Sequence, residues 1–214
     1  METELYNTLI MRLIIYDTEF TAWEGSQHRG WGLPWEAREL IQFSASCIQI
    51  TEQGLSVETD LNHFIKPNKN PKLSDYIQDL TGISQADVDN GLTPKDFFQQ
   101  LASFTRNGKI AMASWGNDLH VLQETATLNR LSPDWIQSYD LIEVFEPFGV
   151  NTSVTSGELF QQFNLALEVH EHNALDDTRS LVASLNALHQ QAPKTTYQRI
   201  QSLINQTNDE LSRL

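Results

Sequence analysis

The run Leu13-Ile14-Ile15-Tyr16 leads directly into Asp17-Thr18-Glu19-Phe20, and this junction limits the fold more than any other stretch of the chain. Four consecutive large apolar residues fit a strand covered on both faces, as in the centre of an α/β sheet. In such sheets ligands sit beyond the carboxyl ends of the strands, which is where Asp17 and Glu19 fall. Two positions apart on an extended backbone, their side chains leave one face about 7 Å apart along the chain. Like charges so placed call for a cation. For the triplet taken alone, the alternative is a strand end running out into solvent.

The rest of the chain supplies partners for that strand. Residues 39–50 and 57–65 read as two further strands, joined by a turn at Glu52-Gln53-Gly54 short enough to require antiparallel pairing. A loop punctuated by Asn and Pro at 68–71 precedes short helical pieces at 73–80 and 84–88, and a helix opens at Thr93-Pro94 with proline in its first position. Strands are expected at 109–114 and 136–142, with an amphipathic helix at 117–130 between them. Helices are expected at 153–163 and 175–190, and Ala192-Pro193 sets off a last helix at 197–214. The apolar face of that helix, through Tyr197, Ile200, Ile204 and Leu211, packs either on its own domain or on a protein partner.

At 214 residues the chain suits one domain. The expected organisation is an N-terminal extension at 1–10, with its order left open, a domain at 11–191 and a C-terminal helix at 192–214. No run of eighteen apolar residues occurs, and the first ten residues carry two acids and no basic group, so no membrane span or secretory signal is expected and the location expected is cytoplasmic. Cys47 is the single cysteine, which excludes an intramolecular disulfide and suits core packing.

The segment 21–38, TAWEGSQHRGWGLPWEAR, has no periodicity but holds three Trp, three Gly and one Pro. It is expected to form a loop over the site, either touching substrate or simply packed on the surface. Trp23, Trp31 and Trp35 are each suited to stacking a base and equally to anchoring the loop.

Two later strings carry further acids. On a helix, Asp118 falls within the apolar stripe of Leu119, Leu122 and Ala126, an expensive place for a charge unless it is paired or bound to metal. The alternative is that Asn117 or Asp118 caps the helix. In HNALDDT, at 172–178, the buried stripe of the following helix is Leu175, Thr178, Leu181, Val182, Leu185 and Leu188. At 100° per residue Asp176 points roughly 180° from its centre and Asp177 only about 80° away. Asp177 is thus the acid that faces a site, and Asp176 is a solvated partner of the helix dipole. His172, taken alone, reads as a polar loop residue.

The order Asp17-x-Glu19, then Asp118 at a helix start, then His172 five residues before Asp177, resembles the DEDDh branch of the DnaQ-like 3′-5′ exonucleases. Within that group the chain is similar to the Eri-type and KapD-type enzymes in ELIQFSA (39–45), FIKPNKNPKLSDYIQDLTGIS (64–84), SWGND (114–118) and HNALDDTRSL (172–181). The resemblance implies an α/β, ribonuclease H-like fold with a mixed five-stranded sheet flanked by helices. It implies two divalent cations, Mg²⁺ with Mn²⁺ as a substitute, held by Asp17, Glu19, Asp118 and Asp177, with His172 as general base. Phe20, Thr21, Ala22, Leu80 and Ile83 are the substrate contacts it implies, and the substrate is a single-stranded RNA or DNA 3′ end cut to nucleoside 5′-monophosphates. A formal charge of −14 speaks against binding long duplex tracts, which rests on Lys and Arg, and is compatible with holding a few terminal nucleotides through metal. The competing expectation is a non-catalytic interaction module on the same fold.

Overall fold

A computed structural model describes residues 10–116 and 118–211, with 206–211 described by backbone alone. Residues 1–9 of the extension expected at 1–10, Asn117 as a helix cap, and the Leu211 side chain lie outside these residues. Five strands form one mixed sheet in the order β3-β2-β1-β4-β5. They are β1 (Met11–Phe20), β2 (Leu40–Ile50), β3 (Leu55–Phe64), β4 (Met112–Ser114) and β5 (Ser138–Asp140). β1 pairs antiparallel with β2, β2 antiparallel with β3, and β4 runs parallel to both β1 and β5. The tight turn after β2 closes with Thr51 N–H donating to Gly54 O at 2.9 Å.

β1 is central and covered on both faces, and its alternation decides which face receives which side chain. Leu13 and Ile15 enter the layer formed with Leu181, Leu185, Leu188 and Ile200. Ile14 and Tyr16 enter the opposite layer with Phe43, Phe97, Leu101 and Leu122. Helices α3 (Pro94–Phe104) and α4 (Asp118–Leu128) supply the second layer, and α6 (Ala174–Gln191) and α7 (Pro193–Leu211) the first. Between β5 and α6 lies a short α5 (Ile142–Phe145).

Local signals place the smaller helices. Ser74 caps α1 (Asp75–Thr81), accepting from Ile77 N–H, and its hydroxyl donates to Ala22 O at 2.5 Å, tying α1 to the end of β1. Ser84 and Asp87 form a capping box on α2 (Gln85–Asp89). Thr93 caps α3, with Pro94 at its start. Glu39 is buried just before β2, where its carboxylate accepts the backbone N–H groups of Asn68, Lys69 and Asn70 at 2.6 to 2.8 Å. Three backbone amides thus satisfy a buried carboxyl group there.

Three expectations are corrected. The stretch 153–163 is not an α-helix: only Leu159–Phe163 is helical, as a 3₁₀ turn. Its polar groups are drawn elsewhere, since the Ser156 carbonyl accepts from Ser180 Oγ at 2.7 Å, more closely than from Leu159 N–H at 3.4 Å. The strand expected at 136–142 is confined to Ser138–Asp140, because Asp140 Oδ1 accepts Ile142 N–H at 2.9 Å and turns the chain into α5. The last helix starts at Pro193, not 197, and buries Tyr197, Ile200 and Leu203 in the domain's own core. No helix among the described residues is long and apolar enough to cross a membrane.

Candidate active site

The alternation of β1 carries Asp17 and Glu19 to the same face as Leu13 and Ile15, the face covered by α6. Both acids are buried, 6% and 7% exposed. α6 is capped at its start and set against β2 by two polar links. Asn173 caps it by accepting Leu175 N–H at 3.2 Å, Gln42 Oε1 accepts Ala174 N–H at 3.2 Å, and Thr178 Oγ1 donates to Ser44 O at 3.2 Å. This docking turns Asp177, 4% exposed, toward β1. Asp17, Glu19 and Asp177 each offer a carboxylate oxygen, and the three lie within 4.8 Å of one another. Asp176 points away: its carboxylate accepts His170 N–H at 3.0 Å and pairs with Arg179 at 2.9 Å.

Asp118 opens α4 from the other wall of the same cleft. It lies outside the close trio, yet its Oδ2 is buried without a hydrogen-bond partner among the described residues, as is Asp177 Oδ1. The turn before it is held by Asp140 Oδ1, which accepts Gly116 N–H at 3.1 Å.

The electrostatics follow from four acids in a dry place. Burial raises Asp17 well above the usual carboxylate range, and the charges of Asp118, Asp177 and Glu19 add to the effect. Glu19 is raised likewise by burial and then by Asp177 and Asp118. Burial pushes Asp118 and Asp177 up to about 7 each. Among the described residues the ion pairs of Arg12, Arg29, Arg38 and Arg179 go to Glu58, Glu36, Glu124 and Asp176, so none reaches these four acids. Hard oxygen donors, buried lone pairs without partners and no neutralising side chain are what a divalent cation requires. The donor set fits one.

A cleft of about 410 Å³ covers the acids. Of the residues expected to contact substrate, Phe20, Ala22 and Leu80 line it. Thr21 and Ile83 do not. Thr21 Oγ1 donates to Ala37 O at 2.7 Å and accepts Glu39 N–H at 3.0 Å, while Ile83 packs with Ile41, Ile77 and Val88. His172 lines the cleft on the loop before α6 with φ +61°, a left-handed backbone that costs a non-glycine residue about 1 kcal/mol or more.

The 21–38 loop is held from within. The buried Glu36 carboxylate accepts Ser26 Oγ at 2.8 Å and Leu33 N–H at 3.1 Å and pairs with Arg29, whose guanidinium holds it down to about 2. Trp23 and Trp31 face the cleft, whereas Trp35 lies outside it, edge-on to Trp23 at 4.7 Å.

Sequence reasoning missed Ser156 and Gly157. The Ser156 hydroxyl donates to Asp177 Oδ2 at 3.2 Å, and a Cβ on Gly157 would stand 2.5 Å from Asp177 Oδ1. Only the missing side chain lets the backbone close on the acid. The Thr-Ser-Gly string carries a turn signal but nothing that joins it to residue 177.

The family model RNase_T, described as exonuclease, matches residues 14–185. ERI1 exoribonuclease 2 of Xenopus laevis is 24% identical over 199 residues, covering 78% of this chain and 27% of the relative. The 3′-5′ exonuclease eri1 of Schizosaccharomyces pombe is 22% identical over 205 residues, covering 81% and 66%. The probable 3′-5′ exonuclease KapD of Bacillus subtilis is 27% identical over 168 residues, covering 77% and 78%. The chain therefore spans about a quarter of the first of these and about two thirds of the second. Among solved structures, the nuclease domain of 3′hExo, a DEDDh family member bound to rAMP, superposes with a TM-score of 0.70 at 20% identity, covering 85% of this chain and 92% of that one.

Proposed function

Because the chain belongs to the RNase T-type exonuclease family, we propose that it is a metal-dependent 3′-5′ exonuclease acting on single-stranded RNA or DNA ends. The observation that carries this reading is the convergence of Asp17, Glu19 and Asp177, buried and without a basic partner, beneath a cleft lined with aromatic side chains. Asp17, Glu19 and Asp177 would hold one divalent cation, and Asp118, across the cleft, would join Asp17 in holding a second. Bound there, Mg²⁺ or Mn²⁺ would neutralise the scissile phosphate and act as a Lewis acid.

The chain's own side chains do the rest. Phe20, Ala22 and Leu80 form the apolar wall against which the terminal nucleoside orients. His172, at the cleft rim, accepts the proton of the attacking water as its oxygen bonds to phosphorus. The bond from phosphorus to the upstream 3′ oxygen breaks, that oxygen takes a proton from solvent to become the new 3′ hydroxyl, and a nucleoside 5′-monophosphate leaves. Ser156 orients Asp177 through its hydrogen bond. The competing reading, an interaction module working through α7, is weakened by the burial of Tyr197, Ile200 and Leu203 in the domain's own core.

The test is incubation with 5′-labelled single-stranded RNA and DNA of equal length in Mg²⁺, Mn²⁺ or EDTA, beside Asp17→Ala. A ladder shortening from the 3′ end, dependent on metal and absent in the variant, is expected. Failure to cut either strand in either metal would discard the proposal.

A further inference from the structure

On the reading of the cleft as an exonuclease site, we infer that Arg38 binds a backbone phosphate of the strand upstream of the scissile bond, held ready for it by Glu124 and Trp31. Among the described residues lining the cleft, Arg38 is the one with a permanent positive charge. It stands in a chain with 14 basic against 28 acidic residues. A strand entering this acidic surroundings needs a cationic contact somewhere along its backbone.

Its geometry is prepared. The backbone N–H of Arg38 donates to Glu124 Oε1 at 3.1 Å and its Nε donates to Oε2 at 2.8 Å, so one carboxylate on α4 holds both main chain and side chain. The guanidinium carbon lies 5.4 Å from the Trp31 ring centroid. Trp31 is itself fixed, donating from Nε1 to Thr21 O at 3.0 Å and packing on Phe20 with centroids 5.5 Å apart. A guanidinium stacked and paired in this way has little conformational freedom left to lose on binding. Its two terminal nitrogens have no hydrogen-bond partner among the described residues, and that planar fork matches two phosphate oxygens.

Position selects which phosphate. Glu124 is six residues beyond Asp118, about 9 Å along the helix axis, so the residue that anchors Arg38 stands that far along α4 from Asp118. A terminal nucleotide with a free 3′ hydroxyl brings only the scissile phosphate to those acids. Every other phosphate of the strand lies on its 5′ side, and one of these is the group Arg38 meets.

Two substrates separate this inference from the reading beneath it. A single-stranded decanucleotide carries upstream phosphates; the p-nitrophenyl ester of thymidine 5′-monophosphate carries only the one being cut. Arg38→Gln is expected to lower kcat/KM on the oligonucleotide about tenfold more than on the ester, the scale of one charge-assisted contact. The slope of log KM against log salt should shrink by about 0.7, the share of one phosphate on a single strand. Arg38→Lys keeps the charge beside Glu124 but loses the fork, so it should show a smaller version of the same split, and it serves if Arg38→Gln melts early. Equal losses on both substrates, or an unchanged salt slope, would make Arg38 a clamp between loop and helix and overturn the inference. A wild-type protein that cleaves neither substrate removes the exonuclease reading itself, and the inference with it.

Discussion

Asp176 and Asp177 are neighbours in sequence with opposite environments. Asp177 is buried against Ser156 and Gly157, and Asp176 is spent on Arg179 and the His170 amide. Asp177→Asn is expected to reduce turnover at least a thousandfold and to weaken Mn²⁺ binding measured by calorimetry. Asp176→Asn should change either by less than about threefold, the scale of a surface pair. Comparable losses in the two variants would contradict the roles given to them. The difference between these residues was legible because helical phase is a local property, as was the common face of Asp17 and Glu19 on an alternating strand. Ser156, Gly157 and Arg38 were not, because each owes its place to a chain segment met only in three dimensions. Thr21 and Ile83 were expected at the substrate and lie in the interior, where the hydroxyl of one and the side chain of the other serve packing.

Among the elements, β1, β2 and α6 came close to their expected bounds, the strand at 136–142 and the start of the last helix shifted by a few residues, and the segment that departed in kind was 153–163. Its composition suits a helix, but its carbonyls and hydroxyls are recruited by α6 and by Asp177. Tertiary contacts there outweigh helical propensity. The last helix, α7, was expected as an appendage after residue 191. It contributes Tyr197, Ile200 and Leu203 to the layer that also holds Leu13 and Ile15 of the central strand. Removing residues 193–214 uncovers that layer, and loss of a single large aliphatic side chain from a core costs about 2–5 kcal/mol. The shortened protein should therefore melt at least 10 °C lower or fail to fold, as read by calorimetry. A shortened chain with unchanged melting would show α7 to be dispensable packing.

At the scale of the whole molecule, the acids at the cleft oppose the fold that gathers them. Burial pushes Asp118 and Asp177 up to about 7, against 3.8 for an ordinary aspartate. The folded state thus holds protons that the unfolded chain has released, and stability falls as pH rises from about 4 to about 7. In EDTA the melting temperature should drop by several degrees between pH 5 and pH 8. Saturating Mg²⁺ should remove most of that drop, since the cation takes the place of the protons. A melting temperature in EDTA that is flat or rises over this range would refute the account.

The acids also arrive at different times. Asp17 and Glu19 are made before Asp118, and Asp118 before Asp177, which stands on a helix that must dock on β2 before its carboxylate faces β1. Under the proposed function, a growing polypeptide on a ribosome carries an incomplete cutting centre until α6 has emerged and settled. On that reading, the message and transfer RNAs around it are exposed only to a finished nuclease, and a chain that stops short of α6 is a harmless one.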